Sequence, residues 1–176
     1  MNRIVGTITD LGQHLIAMVS DREVYRPANC PGWGRAGLWC HGLYYRKADR
    51  SERGELNPVP VPRYFCSGCA RTCSRLPACV APHRWYGWLM QQAVLMLLLC
   101  GVSINECTRE TGRSRSTVRR WWRWLQDRHL FFASALRSRE PELGRHDGVT
   151  AFWRQVIDKA SLMGAMVCLD RELSVP

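Results

Sequence analysis

The sequence predicts an α+β protein that is mostly α, with a small β unit, a three-helix bundle and a C-terminal helix. Three observations predict this order. Strand-like runs surround paired cysteines in the first half of the chain, an apolar stretch and two capped helical segments follow, and an apolar stripe with helical spacing closes the chain. The 176 residues suffice for one medium domain or two small ones, and the order of segments favours two.

Composition shifts divide the chain into four segments. Residues 1–26 alternate apolar and polar side chains, which predicts a strand-like start or a short amphipathic helix. Residues 27–77 form the β unit, interrupted by a charged and proline-bearing loop at 48–62. Residues 78–130 form the helical bundle, and residues 131–176 form a helical extension that includes one amphipathic helix over 149–173.

Cysteine spacing predicts a metal site in the β unit. Nothing at the N-terminus resembles a secretory leader, so we expect a cytoplasmic protein, in which nine cysteines favour metal binding over disulfides. Cys66 and Cys69 form a C-x2-C pair with a glycine between them that would let the backbone turn. Cys30 begins the upstream half of the pattern, but Trp33 stands where the second cysteine of that half should be.

The missing cysteine leaves the fourth metal ligand open. We predict Zn²⁺ held by Cys30, Cys66 and Cys69, with Cys40 as the fourth ligand. His41 is an alternative to Cys40, although a turn between two strands is the simpler explanation of its position. Cys73 is another substitute, but in a ribbon it would usually point away from the ion. Water could complete the shell, or the metal site could be lost.

The bundle begins with an apolar stretch at 85–102 and continues into two short helices. The uninterrupted apolar part is about half of what a bilayer crossing needs, so a buried helix is expected and no membrane association. Ser103 can cap a helix that ends at Gly112, and Ser114 or Ser116 can cap the next. These features predict a helix-turn-helix.

The second of these helices combines an apolar face with a cationic one. Val118 and Trp121 lie three residues apart and would face the preceding helix. Arginines at helical spacing often form only a solvated face, but the formal net charge of +10 favours a partner that carries phosphates. Double-stranded DNA is therefore the predicted partner, and the predicted contact residues are Arg113, Ser114, Arg115, Ser116, Arg119, Arg120 and Arg123.

Residues 27–125 resemble the zinc-ribbon plus helix-turn-helix module of bacterial insertion sequences. In that family the module is the N-terminal part of a transposase or a separate DNA-binding accessory protein. The resemblance implies a zinc-ribbon-like β unit that helps to position the helix-turn-helix on the ends of the element. Trp33 and Cys40 depart from the family pattern. The resemblance is carried by Cys30, Pro31, Trp39, His41, Gly42, Tyr44, Arg46, Lys47, Arg63, Tyr64, Cys66, Cys69, Arg71, Ser74, Leu76, Pro77 and residues 101–125.

These observations predict a non-catalytic, sequence-specific DNA-binding protein of a mobile element. About fifty residues follow the bundle, too few for a ribonuclease H-like catalytic domain that would hold two metal ions. A transposase or a second copy of the chain would be a further partner. A host transcription regulator, a truncated transposase remnant and a protein-interaction ribbon with incidental arginines are the alternatives that the sequence leaves open.

Overall fold

The computed structural model describes residues 3–47, 58–82, 86–145 and 148–170. The chain divides into two compact units, the first formed by Met1–Gly87 with Asp170–Pro176 and the second by Trp88–Leu169. The prediction of an α+β chain that is mostly helical is confirmed. Among the described residues, none of the helices has both the length and the hydropathy that a bilayer crossing requires.

Unit 1 contains two small sheets. Strand β1 (Ile4–Val5) pairs in parallel with β5 (Leu76–Pro77). Strands β2 (Leu38–Arg46), β3 (Val59–Cys66) and β4 (Arg71–Cys73) form an antiparallel sheet in the order β2-β3-β4. Residues 59–62, the end of the expected loop, belong to β3, as the strand-forming Val59 and Val61 indicate; this part of β3 pairs with β2 alone, which its prolines permit. The rest of the expected loop, residues 48–57, lies outside the described residues.

The N-terminal segment contains both elements that the sequence left open, since helix α1 (Leu11–Ser20) follows β1. The Asp10 side chain begins α1 by accepting the Gln13 amide at 2.8 Å. His14 of α1 is fully buried, with its Nδ1 2.5 Å from the Tyr25 hydroxyl and its Nε2 2.7 Å from the Pro60 carbonyl oxygen. Because that oxygen only accepts, Nε2 carries the proton and Nδ1 accepts from Tyr25. This neutral imidazole ties α1 to β3.

Unit 2 is a helical bundle of α2 (Trp88–Leu99), α3 (Ile104–Thr111), α4 (Arg115–Arg139) and α5 (Val149–Leu169). Helix α2 packs against the other three, and α4 also packs against α3 and α5. Buried aromatic and aliphatic side chains fill the space between them: Trp121, Leu125, Phe132, Phe152, Trp153, Leu162 and Met166. Helical structure is expected to continue through residues 131–136, and α4 does extend through them to Arg139.

The ends of α3 and α4 follow the capping residues in the sequence. The Ser103 hydroxyl accepts the Glu106 amide at 3.2 Å, and Gly112 ends α3 with φ of 65°. The Ser114 hydroxyl, not that of Ser116, accepts the Thr117 amide at 3.3 Å and begins α4. The three-residue connection between the helices is therefore set by Gly112, which ends α3, and Ser114, which caps α4.

Helix α5 is interrupted at Ser161, which has φ of 58° and ψ of 167°. The Gln92 side chain accepts the Leu162 amide at 2.7 Å, and the Ser161 hydroxyl accepts the Gly164 amide at 3.2 Å. Ser161 thus caps a second helical segment within what the sequence predicts as one helix. The last predicted residues of that helix, 171–173, lie outside the described part of the chain.

Candidate metal centre and cationic helix face

Cys30 lies in a loop that two hydrogen bonds of its own backbone hold in place. Its amide donates to the Arg35 carbonyl at 2.8 Å, and its carbonyl accepts the Gly34 amide at 2.7 Å. Gly34 has φ of 76°, a conformation that glycine adopts readily. This closed loop presents the Cys30 thiol to the buried face of β3.

Cys66 and Cys69 meet Cys30 from the end of β3 and the turn that follows it. The three sulfur atoms lie within 4.8 Å of one another, and the Cys30 and Cys69 sulfurs are 3.5 Å apart. A tetrahedral zinc with Zn–S bonds of about 2.3 Å requires sulfurs about 3.8 Å apart. Three converging thiols at this spacing are a donor set suited to a soft divalent metal, and the prediction that Cys30, Cys66 and Cys69 lie together is confirmed.

Trp33 covers the turn instead of supplying a ligand. A Cβ atom on Gly68 would lie 2.2 Å from the Trp33 ring, so only glycine allows the indole to approach this closely. The Arg35 guanidinium lies over the Trp33 ring, 5.2 Å from its centroid. Trp33 itself remains 46% exposed. Gly68 is therefore required for close packing rather than for a left-handed turn, and the residue with positive φ in that turn is Ala70, at 53°.

The prediction of Cys40 as fourth ligand is not met by the geometry. Cys40 is exposed and lies opposite Tyr64, while Leu38 lies opposite Cys66. Cys40 is thus offset from Cys66 by two residues along the strand, and its exposure to solvent sets it apart from the half-buried and buried thiols of the cluster. His41 is also exposed, and its ring lies against Phe65 with centroids 5.6 Å apart. Neither side chain belongs to the three-thiol group.

The environment of the thiols favours ionisation of Cys30. Burial raises the pKa of Cys30, but hydrogen bonds from the Gly32 and Trp33 amides and from the other two thiols outweigh burial and lower that pKa below its usual value. The pKa of Cys69 is raised, first because its thiol hydrogen-bonds to Cys30 and then because it is buried. Of these two thiols, Cys30 is therefore the one whose surroundings favour the thiolate.

An open cavity of about 400 Å³ lies beside the thiols. Among the residues that line it are Cys30 and Cys69, two arginines, Arg3 and Arg71, and also Cys73. Burial raises the pKa of the Cys73 thiol, and the neighbouring charges of Cys30, Cys66 and Cys69 raise it further. Cys73, which the sequence left open as a substitute ligand, thus lies beside the cluster.

The predicted DNA-contact residues lie at the start of α4 and in the connection before it. Arg115, Arg119, Arg120 and Arg123 are exposed, and none of them forms an ion pair within the parts of the chain that the structure describes. Ser114 and Ser116 are exposed, with their hydroxyl oxygens 3.1 Å apart. Arg113 differs from them, because it is half-buried and its Nε donates to the Thr111 carbonyl at 3.0 Å.

The opposite face of the same helix is anchored in the bundle. Val118 and Trp121 are buried, as expected. On α3, Cys107 is fully buried and its thiol lies 3.8 Å from the Val94 carbonyl oxygen. The exposed face carries a shallow concavity of about 600 Å³ lined by Ser116, Arg119, Arg120, Arg123, Trp124, Asp127 and Arg128. Asp127 is the single carboxylate in that lining.

Searches of curated proteins and of solved structures gave no significant match to this chain. One family does match, over the region that begins at the first cysteine of the cluster and ends at the buried tryptophan of α4. The model of the domain of unknown function DUF6431 covers residues 30–121, slightly more than half of the sequence, and the chain therefore belongs to the DUF6431 family.

Proposed function

We propose that this protein is a non-catalytic, sequence-specific double-stranded DNA-binding protein with a structural zinc site. Helices α3 and α4 act as a helix-turn-helix in which the first turns of α4 enter the major groove. The observation that carries the proposal is the division of those turns into two faces, one with Val118 and Trp121 buried and one with four exposed arginines.

The chemistry of the exposed face suits a duplex. Guanidinium groups are planar and permanently charged, so they pair with phosphates and bind bidentately to guanine edges. Because acidic partners of Arg115, Arg119, Arg120 and Arg123 are absent among the described residues, these cations do not have to leave an intramolecular ion pair to bind DNA. Salt bridges involving Arg109 and Lys159 lie outside this face.

Zinc is the metal proposed for the three-thiol cluster. Cys30, Cys66 and Cys69 would hold it, and the ion would supply structural cross-linking between the Cys30 loop and the β3–β4 turn. Thiolate ligands at tetrahedral spacing favour Zn²⁺ over harder divalent ions. An all-thiolate donor set is typical of structural zinc sites, which stabilise a fold.

The salt dependence of duplex binding tests the phosphate contacts. Each phosphate that an arginine neutralises contributes about 0.9 to the negative slope of log affinity against log salt concentration. We expect a slope steeper than about −3 for the full-length protein. An affinity that does not change with salt would remove DNA binding and favour a protein-interaction module.

Substitution of single arginines locates the contact. Arg119→Ala or Arg120→Ala is expected to weaken binding of a selected duplex by about 1 to 3 kcal/mol if the side chain reaches a base edge. Arg154→Ala is the matched control, because Arg154 is an exposed arginine of the same unit on α5. Equal affinities for all three variants would place the interface elsewhere.

The resemblance to insertion-sequence modules supports the proposal that the DNA target belongs to a mobile element. Selection of bound sequences from a random duplex pool tests this part separately. Recovery of a sequence found in the terminal repeats of an insertion element supports it. Recovery of a promoter-type operator instead would favour a host transcription regulator.

A further inference from the structure

We propose that Cys73 is the fourth ligand of the metal bound by Cys30, Cys66 and Cys69, which makes the site a tetrathiolate despite Trp33. The inference rests on the metal-binding part of the proposed function and is independent of DNA binding. On binding, each thiol that is still protonated releases its proton to solvent and the thiolate donates a sulfur lone pair to the ion.

The strand register places Cys73 on the correct face of the sheet. In the antiparallel pair of β3 and β4, Cys66 lies opposite Arg71 and Tyr64 lies opposite Cys73. Cross-strand partners project to the same face, and residues two apart on one strand share a face. Cys73 therefore projects to the face that carries Cys66. The two cysteines are diagonal neighbours, whose Cα atoms are typically about 7 to 8 Å apart.

Cys73 lies close to the proposed metal ligands. Cys73 is half-buried and packs against the core cluster that contains Cys30 and Cys66. It lines the same open cavity as Cys30 and Cys69. Its sulfur lies outside the group of three that are within 4.8 Å of one another, so the proposal requires the Cys73 side chain to move towards them when the metal binds, for which χ1 offers alternative staggered rotamers.

The other residues named for this position are less suitable. Cys40 and His41 are exposed and belong to β2, on the side of β3 opposite β4. Trp33 is held over Gly68 and has no donor atom for zinc. Arg3 and Arg71, the cations of the cavity, favour a site with net negative charge, and four thiolates around Zn²⁺ carry a net charge of about −2.

The experiment uses the full-length protein, reduced and freed of metal, then loaded with Zn²⁺ or Co²⁺. X-ray absorption counts the sulfur neighbours of zinc without any substitution, and we expect four. Cys73→Ser should reduce the count to three with one oxygen or nitrogen neighbour, weaken the sulfur-to-cobalt charge-transfer band, and lower zinc affinity by about 100-fold or more, beyond the loss typical of residues outside the ligand shell.

Two control variants make the test specific. Cys79→Ser removes a half-buried thiol of the same unit that does not line the cavity, and Cys40→Ser removes the exposed thiol of β2. Both should keep four sulfurs and wild-type affinity. Three sulfurs in the wild-type protein, or a Cys73→Ser variant with wild-type spectrum and affinity, would overturn the inference. A wild-type protein that binds no metal at all would overturn the zinc site itself.

Discussion

The cores of the two units are stabilised by different chemistry. Unit 2 has a core of large apolar side chains, in which the Phe132, Phe152 and Trp153 rings meet edge to face at centroid distances of 5.6 to 6.0 Å. The core of unit 1 is smaller and more polar, and it includes His14, Tyr25 and the thiols of Cys30 and Cys66. A helical bundle of this kind is stabilised by apolar burial, whereas the β unit, with its smaller core, would gain more from a metal cross-link.

This difference assigns separate roles to the two units. The cysteines of the candidate metal centre all lie in unit 1, and the exposed arginine face belongs to unit 2. Loss of metal should therefore act on the β unit, and loss of apolar packing should act on the helices. Four predictions test this separation, from the largest expected effect to the smallest.

Removal of the metal should produce the largest effect. Zinc binding at structural thiolate sites is worth on the order of 10 kcal/mol and is coupled to folding. We expect Cys66→Ser, or a strong chelator, to remove amide exchange protection from β2, β3 and β4 while α2 to α5 keep theirs. Hydrogen exchange measured by mass spectrometry reports both units at once, and Cys40→Ser is the control. Equal loss of protection in both units would contradict the separation.

Trp121→Ala should destabilise unit 2 by about 3 to 5 kcal/mol, because it removes one of the largest fully buried side chains and leaves a cavity between the helices. Urea unfolding followed by far-ultraviolet circular dichroism measures the change. Leu130→Ala, at a position on α4 that is 78% exposed, should change the free energy of unfolding by less than about 0.5 kcal/mol. Metal stoichiometry of the Trp121 variant should stay at the wild-type value, and a drop would show that the two units depend on each other.

Ser103→Ala should cost about 1 kcal/mol, because the Glu106 amide loses its hydrogen-bond acceptor at the start of α3. Thermal unfolding of unit 2 measures this loss. Ser103→Asp is the matched variant, since an aspartate accepts the same hydrogen bond and should restore stability. If alanine and aspartate behave alike, the cap contributes nothing to the folded bundle.

Protonation of His14 should produce the smallest effect, confined to unit 1. Burial lowers the pKa of His14 from its usual value of 6.5, and the hydrogen bond to Pro60 offsets this only in part. The unfolded chain therefore binds a proton before the folded one does, so stability is complete above the unfolded pKa and falls as pH drops below it. The expected loss is less than about 1 kcal/mol at pH 6.

His14→Gln is the control for this pH dependence. Its amide can donate to the Pro60 carbonyl and accept from Tyr25 without titrating. Urea unfolding measures the free energy of unfolding of wild type and variant. The difference between them should be constant above pH 7.5 and should change at lower pH. A difference that does not vary with pH would show that the pKa of His14 is the same in the folded and unfolded states.

Local signals in the sequence were sufficient for the helical bundle. Ser103, Gly112 and Ser114 act through backbone atoms within three or four residues of themselves, so their effect can be inferred without knowing the fold. The burial of Val118 and Trp121 follows from helical periodicity in the same way. The interruption of α5 could not be inferred, because it depends on Gln92, seventy residues away in the chain.

For the metal centre, too, the sequence determined some of the ligands, and the tertiary structure decided the rest. The sequence by itself determined that Cys30, Cys66 and Cys69 belong together, because the C-x2-C spacing and the upstream C-P-G loop are local patterns that bring thiols to one point. The choice between Cys40 and Cys73 was decided only by the tertiary structure. Both cysteines lie opposite Tyr64 in the strand register, one on each side of β3, but Cys40 is exposed, whereas Cys73 packs against the core cluster that contains Cys30 and Cys66. Which of two such residues is buried depends on the elements that pack around its strand, and these are distant in sequence.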